Sequence, residues 1–537
     1  MAKTERPSLN TIESLIAGIA PKWGFRRLQS KNMLALAGGY SGASRKRASL
    51  RDWTPAANDA VSDINLDLPD LRARSRDLSR NSMLGCGAIK SVVSHAIGTG
   101  LSYQSRIPAQ QLGLSDEAAA AWQDDTEQRY RLFCESTNCD ITRTQNMYGL
   151  QSTVLTAILE SGDLLALMVN VNRPNWPYHM AVQMVEADRV CNPNFSQDSD
   201  SRVAGIDFDA GGAPLAYQIA KYHPGRINYR AKQVWQRVPA FGAASGRRNV
   251  LHPFFRTRPG QVRGVPYLAP VIEALKQLSR YTEAELQAAV INGVFAVFMK
   301  MDPNAFGDLF DEKAQDAYVE QAGNWNGALN FANVDNGGKA INLLPGEEPV
   351  PVTPGRPNPA FEPFFNAIAA QIGAALEIPF EVLIKHFSSS YSASRGAMLD
   401  AWRFFMRMRD FMATEFCQPV FEQWLDEEVA AGRISAPGYF ADPLVRKGWC
   451  SSEWVGDGPG SIDPLKEINA AEKRIEVGVS TIAAESILHD GKDWEPKHRQ
   501  RAREVAKRRE AGLQDPAAAP ADATDPNKPN PGDTDTD

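Results

Sequence analysis

Six acidic residues, Glu160, Asp163, Glu186, Asp188, Asp207 and Asp209, are the side chains whose type and spacing could gather two divalent metals. Two metals held by carboxylates would support hydrolysis of a phosphodiester or a peptide bond. A metal-dependent nucleic-acid-processing enzyme is therefore one reading, and turn or surface acids are the plainer one. Other catalytic signatures are incomplete. Gly338-Lys339 is followed by Ala340 and lacks the glycine a phosphate-binding loop needs at Asn333, which removes the simplest route to an ATP-driven motor. The zincin HExxH spacing is absent and the seven histidines are dispersed, so no metal site is expected. Gly39-Tyr40-Ser41-Gly42 matches a nucleophile elbow only in part, because Ala43 replaces the last glycine and no strand precedes it. No glycine-rich dinucleotide fingerprint follows a strand, and no cofactor is implied. Cys134 and Cys139 flank a short polar turn without a second Cys/His pair, and ordinary buried thiols are expected there.

The elements around these residues can be read from periodicity. Residues 1–50 mix Gly, Ser and basic residues and read as a mobile arm with one short helix. From Asp70 a helical stretch runs to Gly98 and Gly100, and Ser115 caps another that extends to about Phe133. A helix over 144–160 precedes short strands at 164–170, 178–186, 202–208 and 216–220, giving an α+β region within a predominantly helical chain. The spacing of Val271, Leu275, Leu278, Leu286, Val290, Val294 and Phe298 predicts a helix over 270–299, roughly 45 Å long. A turn-rich insert over 301–353 follows, with an exposed acidic turn at Glu347-Glu348, and then a helix over 359–377. Such long amphipathic helices need neighbours along their length, so packing between identical subunits into a ring is plausible.

Residues 378–412 read as helix, polar loop and amphipathic helix. Ser388, Ser389, Ser390 and Ser392 offer hydrogen bonds that favour turns and caps, and a helix is expected to open near Arg395. Pro419 should kink or end it. Asp463-Pro464 is a helix start, helical segments reach Arg509, and residues beyond 510 form an acidic tail without apolar content. Net charge is −6, which argues against a broad basic grip on DNA but allows a wall that a polyanion slides past. Basic runs at 45–47, 72–80 and 497–509 read as solvated helix faces. No run is long enough to span a bilayer, and Glu13 interrupts the only signal-like segment, so a soluble protein is expected. Six cysteines without a repeated spacing point to a reducing compartment.

Taken in order, a set of short motifs resembles the portal (head-to-tail connector) proteins of tailed bacteriophages, in their lambda-type branch. They begin with Trp53-Thr54-Pro55, Leu71-Arg72, Arg74-Ser75-Arg76, Arg80-Asn81, Ile97-Gly98 and Gly100-Leu101 with Gln104. The middle carries Arg263-Gly264-Val265-Pro266, Ile378-Pro379-Phe380-Glu381-Val382-Leu383, Tyr391-Ser392 and Ser394-Arg395. The end carries Ile462-Asp463-Pro464, Lys466-Glu467, Gly478, Thr481 and Asp493-Trp494-Glu495. Each is weak alone, while their order over about residues 50–510 is specific.

The resemblance implies a closed ring of about twelve subunits at one capsid vertex, with double-stranded DNA passing through its axis. It implies a portal fold with wing, stem, clip and crown. Carried onto this chain, the arm is 1–50, the wing 51–262, the stem helices 263–300 and 356–378, and the clip 301–355. The tunnel loop is 379–394, the wing helix and connector 395–461, the crown 462–510, and the tail 511–537. Lys385, His386, Ser388, Ser389, Ser390, Tyr391, Ser392 and Arg395 would face DNA, and Glu347 and Glu348 would meet partners at the clip. The implied partners are the terminase large subunit, the head-tail adaptor, and capsid and scaffold proteins. No catalysis, metal or membrane is implied, and the location is the virion, with the host cytoplasm before assembly. The family more often has glycine where this chain has Glu377, which leaves open where the second stem helix stops.

Overall fold

Glu13, the residue that interrupts the apolar run near the start, organises the first unit. Its carboxylate accepts from the Asn10 amide at 3.0 Å, from Arg27 Nε at 3.0 Å and from Lys31. These contacts tie α1 (Thr11–Ile19) to α2 (Pro21–Leu36), so the expected arm holds two helices rather than one. The computed structural model describes residues 10–36, 40–45, 47–227, 232–293, 297–301, 347–351, 358–386, 390–460 and 463–513. It divides into Met1–Asp59 and Ala60–Asp537.

The second unit begins with α3 (Ala60–Ile64), α4 (Leu68–Asn81) and α5 (Met83–Ala96). The expected single helix is broken at Ser82, whose extended backbone and side-chain oxygen, accepting from Gly85 N at 3.3 Å, start α5 afresh. Gly98 and Gly100 then take positive φ, as expected beyond a helix end. Strand β1 (Ser102–Ser105) precedes α6 (Asp116–Glu135), capped by Ser115, and α7 (Met147–Ser161), capped by Asn146.

The sheets follow. β2 (Leu164–Asn170), β3 (Met180–Glu186) and β8 (Val250–Leu251) form one antiparallel sheet in the order β3-β2-β8. β4 (Arg202–Val203), β5 (Ile206–Phe208), β6 (Pro214–Ala220) and β7 (Trp235–Pro239) form a meander. β2 is apolar on both faces, and the period of two explains why. Leu164, Ala166 and Met168 feed a large helical core with Phe133, Phe421 and Trp424, while Leu165 and Leu167 feed a second core with Ile206, Tyr217 and Ile219.

Helix α8 (Ile272–Gly293) is shorter than expected, about 33 Å at 1.5 Å per residue. Residues Val297–Met301 are strand β9, paired antiparallel with β10 (Glu347–Pro351). Glu347 and Glu348 therefore stand opposite Met301 and Lys300 on a strand rather than in a turn. Val297 and Phe298 suit a strand as well as they suit a helix face, and pairing with a distant segment decides between them. Helix α9 (Phe361–Ala375) runs antiparallel to α8: Tyr267 donates to the Leu376 carbonyl at one end, and Asn358 Nδ2 reaches Glu285 at 3.1 Å at the other.

The chain continues through α10 (Phe380–Ile384), α11 (Tyr391–Met412) and a π-helical turn at Ala413–Cys417 into α12 (Gln418–Ala430). Pro419 sits in the first turn of α12 and has no amide to donate, and the wider turn before it makes room for its ring. Helix α13 (Pro443–Trp449) leads to β11 (Ser452–Val455), which pairs with β1. Three surface helices end the described chain: α14 (Pro464–Glu476), α15 (Ile482–Asp490) and α16 (Trp494–Glu510). Asp463 caps the first of them, at the expected start. No helix among the described residues is long and apolar enough to cross a membrane.

Candidate functional site

The six acidic candidates do not gather at one point; arginines and backbone amides engage most of them, and Glu186 and Asp188 share His223. Glu160 accepts from Ser79, and Asp188 from Arg76 with His223 at 3.6 Å. Glu186 lies 3.8 Å from His223. Asp207 holds Arg202 at 2.6 Å, Arg237 at 3.0 Å and Gln218 at 3.0 Å, and Asp209 closes a turn on the Gly211 and Ala213 amides. No group of three potential ligands forms among the described residues. All six cysteines are free, and Cys134 and Cys139 are buried thiols whose burial raises their pKa.

Asp163 has a structural role that its sequence neighbourhood did not disclose. It is fully buried and accepts from Arg263 Nε at 2.6 Å, Arg263 Nη2 at 3.0 Å, Arg72 Nη2 at 2.8 Å and the Gly264 amide at 3.0 Å, with His252 Nε2 at 3.3 Å. Burial alone would raise this carboxyl, but Arg263 and Arg72 hold it well below the usual range. Arg263 also donates to the carbonyls of Ala187, Val190 and Ala204. One carboxylate thus fixes α4, the start of β2, β8 and the segment leading to α8. Gly162 and Gly264 meet backbone to backbone: a Cβ at Gly264 would lie 2.0 Å from the Gly162 carbonyl oxygen. This gives the Arg263-Gly264-Val265-Pro266 motif a physical reason.

The site with an open face is the segment from Glu377 to Arg407. α9 ends in a Schellman arrangement, with Ile378 N donating to Gly373 O at 2.9 Å and Glu377 N to Ala374 O at 3.4 Å. The left-handed position of that motif is Glu377, at φ +54°. A side chain there costs about 1–2 kcal/mol in backbone conformation. The helix stops after Ala375 even without glycine, because Ile378 is buried and both oxygens of Glu377 accept from Arg407 Nη2 at 2.7 Å. That pair is over half exposed, so it contributes at most about 1 kcal/mol. Gly373 is obligatory instead: a Cβ there would lie 2.6 Å from the Ile378 carbonyl oxygen.

Lys385, at φ +54°, ends α10 with a second left-handed turn, so two sharp reversals bracket the short helix. Ser390 caps α11 by accepting from Ala393 N at 3.4 Å, and Tyr391 and Ser392 form its first turn. The helix therefore opens four residues before Arg395. Ser388 and Ser389 lie outside the described residues. Lys385, His386 and Ser390 are exposed, whereas Arg395 pairs with Glu467 on α14 at 3.2 Å. Glu377, Asp400, Arg403 and Arg407 line an open cavity of about 520 Å³ with Phe380 and Phe404. Two arginines and two carboxylates make that wall polar with no net charge.

Arg409, one residue from the polar face of α11, points inward. It donates to the carbonyls of Ala96 at 3.0 Å and Asp457 at 2.8 Å and so closes the end of α5. Its position on the buried side of the helical pattern was the only available signal.

A family model described as phage portal protein, lambda family, matches residues 46–409. Portal protein B of Escherichia phage lambda is 27% identical over 500 residues, spanning 90% of this chain and 92% of that protein. The portal protein of Escherichia phage N15 is 27% identical over 503 residues, spanning 90% and 93%. Among solved structures, a chain from the neck of an empty gene transfer agent particle aligns with a TM-score of 0.41 at 15% identity, covering 83% of this chain and 94% of that one.

Proposed function

Because the chain belongs to the lambda family of phage portal proteins, we propose that about twelve copies close into a ring at the portal vertex of the capsid. The ring conducts double-stranded DNA during packaging and ejection and catalyses no reaction. The family match across residues 46–409 carries this reading. Two features of the chain support it. The first is apolar surface left open on the paired helices, where Leu286 is 66% exposed, Val290 61% and Phe364 50%. Burying such a side chain against a neighbouring copy is worth about 1.5–3 kcal/mol. The second is the engagement of the six acidic candidates by neighbouring polar groups, with no group of three potential metal ligands among the described residues.

In this reading residues 51–262 with 395–461 form the wing, α8 and α9 the stem, and 301–355 the clip. Residues 462–510 form the crown. Glu347 and Glu348 belong to the clip, which meets the terminase large subunit and then the head-tail adaptor, while capsid and scaffold proteins meet the ring during assembly. The loop around Lys385, His386, Ser388, Ser389, Ser390, Tyr391, Ser392 and Arg395 lines the lumen, and its cations and hydroxyls touch passing phosphates transiently. A weak, nearly neutral wall suits conduction, because tight phosphate pairing would hold the duplex in place.

The test images purified protein by negative stain and measures DNA packaging with Ser388–Ser392 replaced by glycine. Annular particles that persist in the variant, with packaging impaired, are expected. A stable monomer under assembly conditions overturns the ring, and unchanged packaging overturns the loop assignment.

A further inference from the structure

None of the residues of helix α16, the longest of the three surface helices that end the described chain, is buried. It carries seven Lys and Arg against three Glu, within a chain of net charge −6. Its first half is anchored. Asp493 caps it through the Glu495 amide, Lys497 Nζ reaches Ser486 and Asp490 at 2.5 Å each, and Arg499 makes two bonds to Asp124 of α6 at 2.7 and 3.2 Å. Val505 is the last partly buried side chain.

Beyond Arg499 the balance changes. Arg501, Arg503, Lys507, Arg508 and Arg509 are all exposed. Among the described residues, Arg501, Lys507 and Arg509 make no side-chain hydrogen bond or ion pair to any neighbour. The helix dipole accounts for cations in the last turn. It does not account for Arg501 and Arg503, two turns earlier. A solvated helix face normally alternates charge, yet Glu504 is the only acid from Arg499 to Arg509, and Gln500 Nε2 bonds it at 2.7 Å. The ten residues after Gln500 span about 15 Å, along which duplex DNA presents about nine phosphates.

We propose that α16 binds the phosphate backbone of double-stranded DNA, at a surface separate from the loop that follows Lys385. The portal reading supplies the reason DNA is present, and the surface itself rests on the charge pattern of the helix. Contacts of this kind read no base sequence. They hold a duplex in a salt-dependent way while Arg499 keeps the helix on α6.

The experiment titrates a labelled duplex with the full-length protein over a range of salt concentrations, and compares it with the triple variant R501A/R503A/K507A. Alanine preserves helix propensity, and Arg499, Arg508 and Arg509 stay in place. Sedimentation of the variant must match that of the unmodified protein. The slope of log affinity against log salt should fall in magnitude by about 2.7, from three lost phosphate contacts, with affinity down at least about tenfold. An unchanged slope overturns the proposal, and so does polyglutamate displacing the duplex at equal charge, which would assign the helix to an acidic protein. Rings with an unchanged slope refute this surface and spare the portal reading. A changed slope without rings does the reverse.

Discussion

Replacing Gly373 with alanine separates two opposed expectations. Gly373 lies inside α9, where alanine would ordinarily stabilise a helix by about 1 kcal/mol. The geometry at the helix end predicts the reverse. A Cβ on residue 373 would sit 2.6 Å from the Ile378 carbonyl oxygen and 3.7 Å from Leu383 Cδ2. The nearer atom is backbone, held by the buried Ile378 side chain and by the bond from its amide to the Gly373 carbonyl at 2.9 Å. Relief requires that turn to open. Overpacking costs about 1–3 kcal/mol, and the weakened hydrogen bond about 0.5–1.5 kcal/mol more. After subtracting the propensity gain, the net is a loss of about 0.5–3.5 kcal/mol. The protein is too large for a single unfolding free energy to be well defined, so amide hydrogen exchange is the suitable assay. The Ile378 and Leu376 amides should exchange about 2- to 300-fold faster, at 1.4 kcal/mol per decade. Equal or greater protection would refute the close approach and leave helix propensity in command.

Two further outcomes follow from buried charge. Asp163→Asn leaves Arg72 and Arg263 buried without a counter-ion, a loss of about 3–5 kcal/mol, measurable as a lower unfolding midpoint and faster proteolysis between α7 and α8. Glu127, partly buried and accepting from the Ser105 amide at 2.8 Å, has its pKa raised to about 7, by burial first and then by Asp493. Its folded pKa exceeds its unfolded value, so the unfolded chain loses this proton first and stability falls as pH rises from about 4.5 to about 7. Glu127→Gln should flatten thermal stability across that window and be more stable at pH 7.5, by an amount on the order of 2 kcal/mol. A pH profile identical to that of the unmodified protein would rule the assignment out.

What the sequence determined by itself was mostly local. Ser115 and Asp463 start helices where a side-chain oxygen accepts from the amide three residues on, and Gly98 and Gly100 take positive φ where the polypeptide turns. Such signals are complete within a few residues, so they survive in one dimension. The order of short motifs was legible for the same reason, and it pointed to the family that the match over 46–409 establishes.

The tertiary structure decided what depends on distant partners. An aspartate beside a glycine, as at Gly162-Asp163, resembles any turn acid until Arg72 and Arg263, far away in the chain, close on it in the buried interior. Val297 and Phe298 were compatible with either periodicity until β10 paired with them. Glu377 adopts a conformation that its own type disfavours, because the burial of Ile378 and the reach of Arg407 outweigh a local preference of about 1–2 kcal/mol. Burial and charge pairing are properties of the packed chain, and they set where this helix ends.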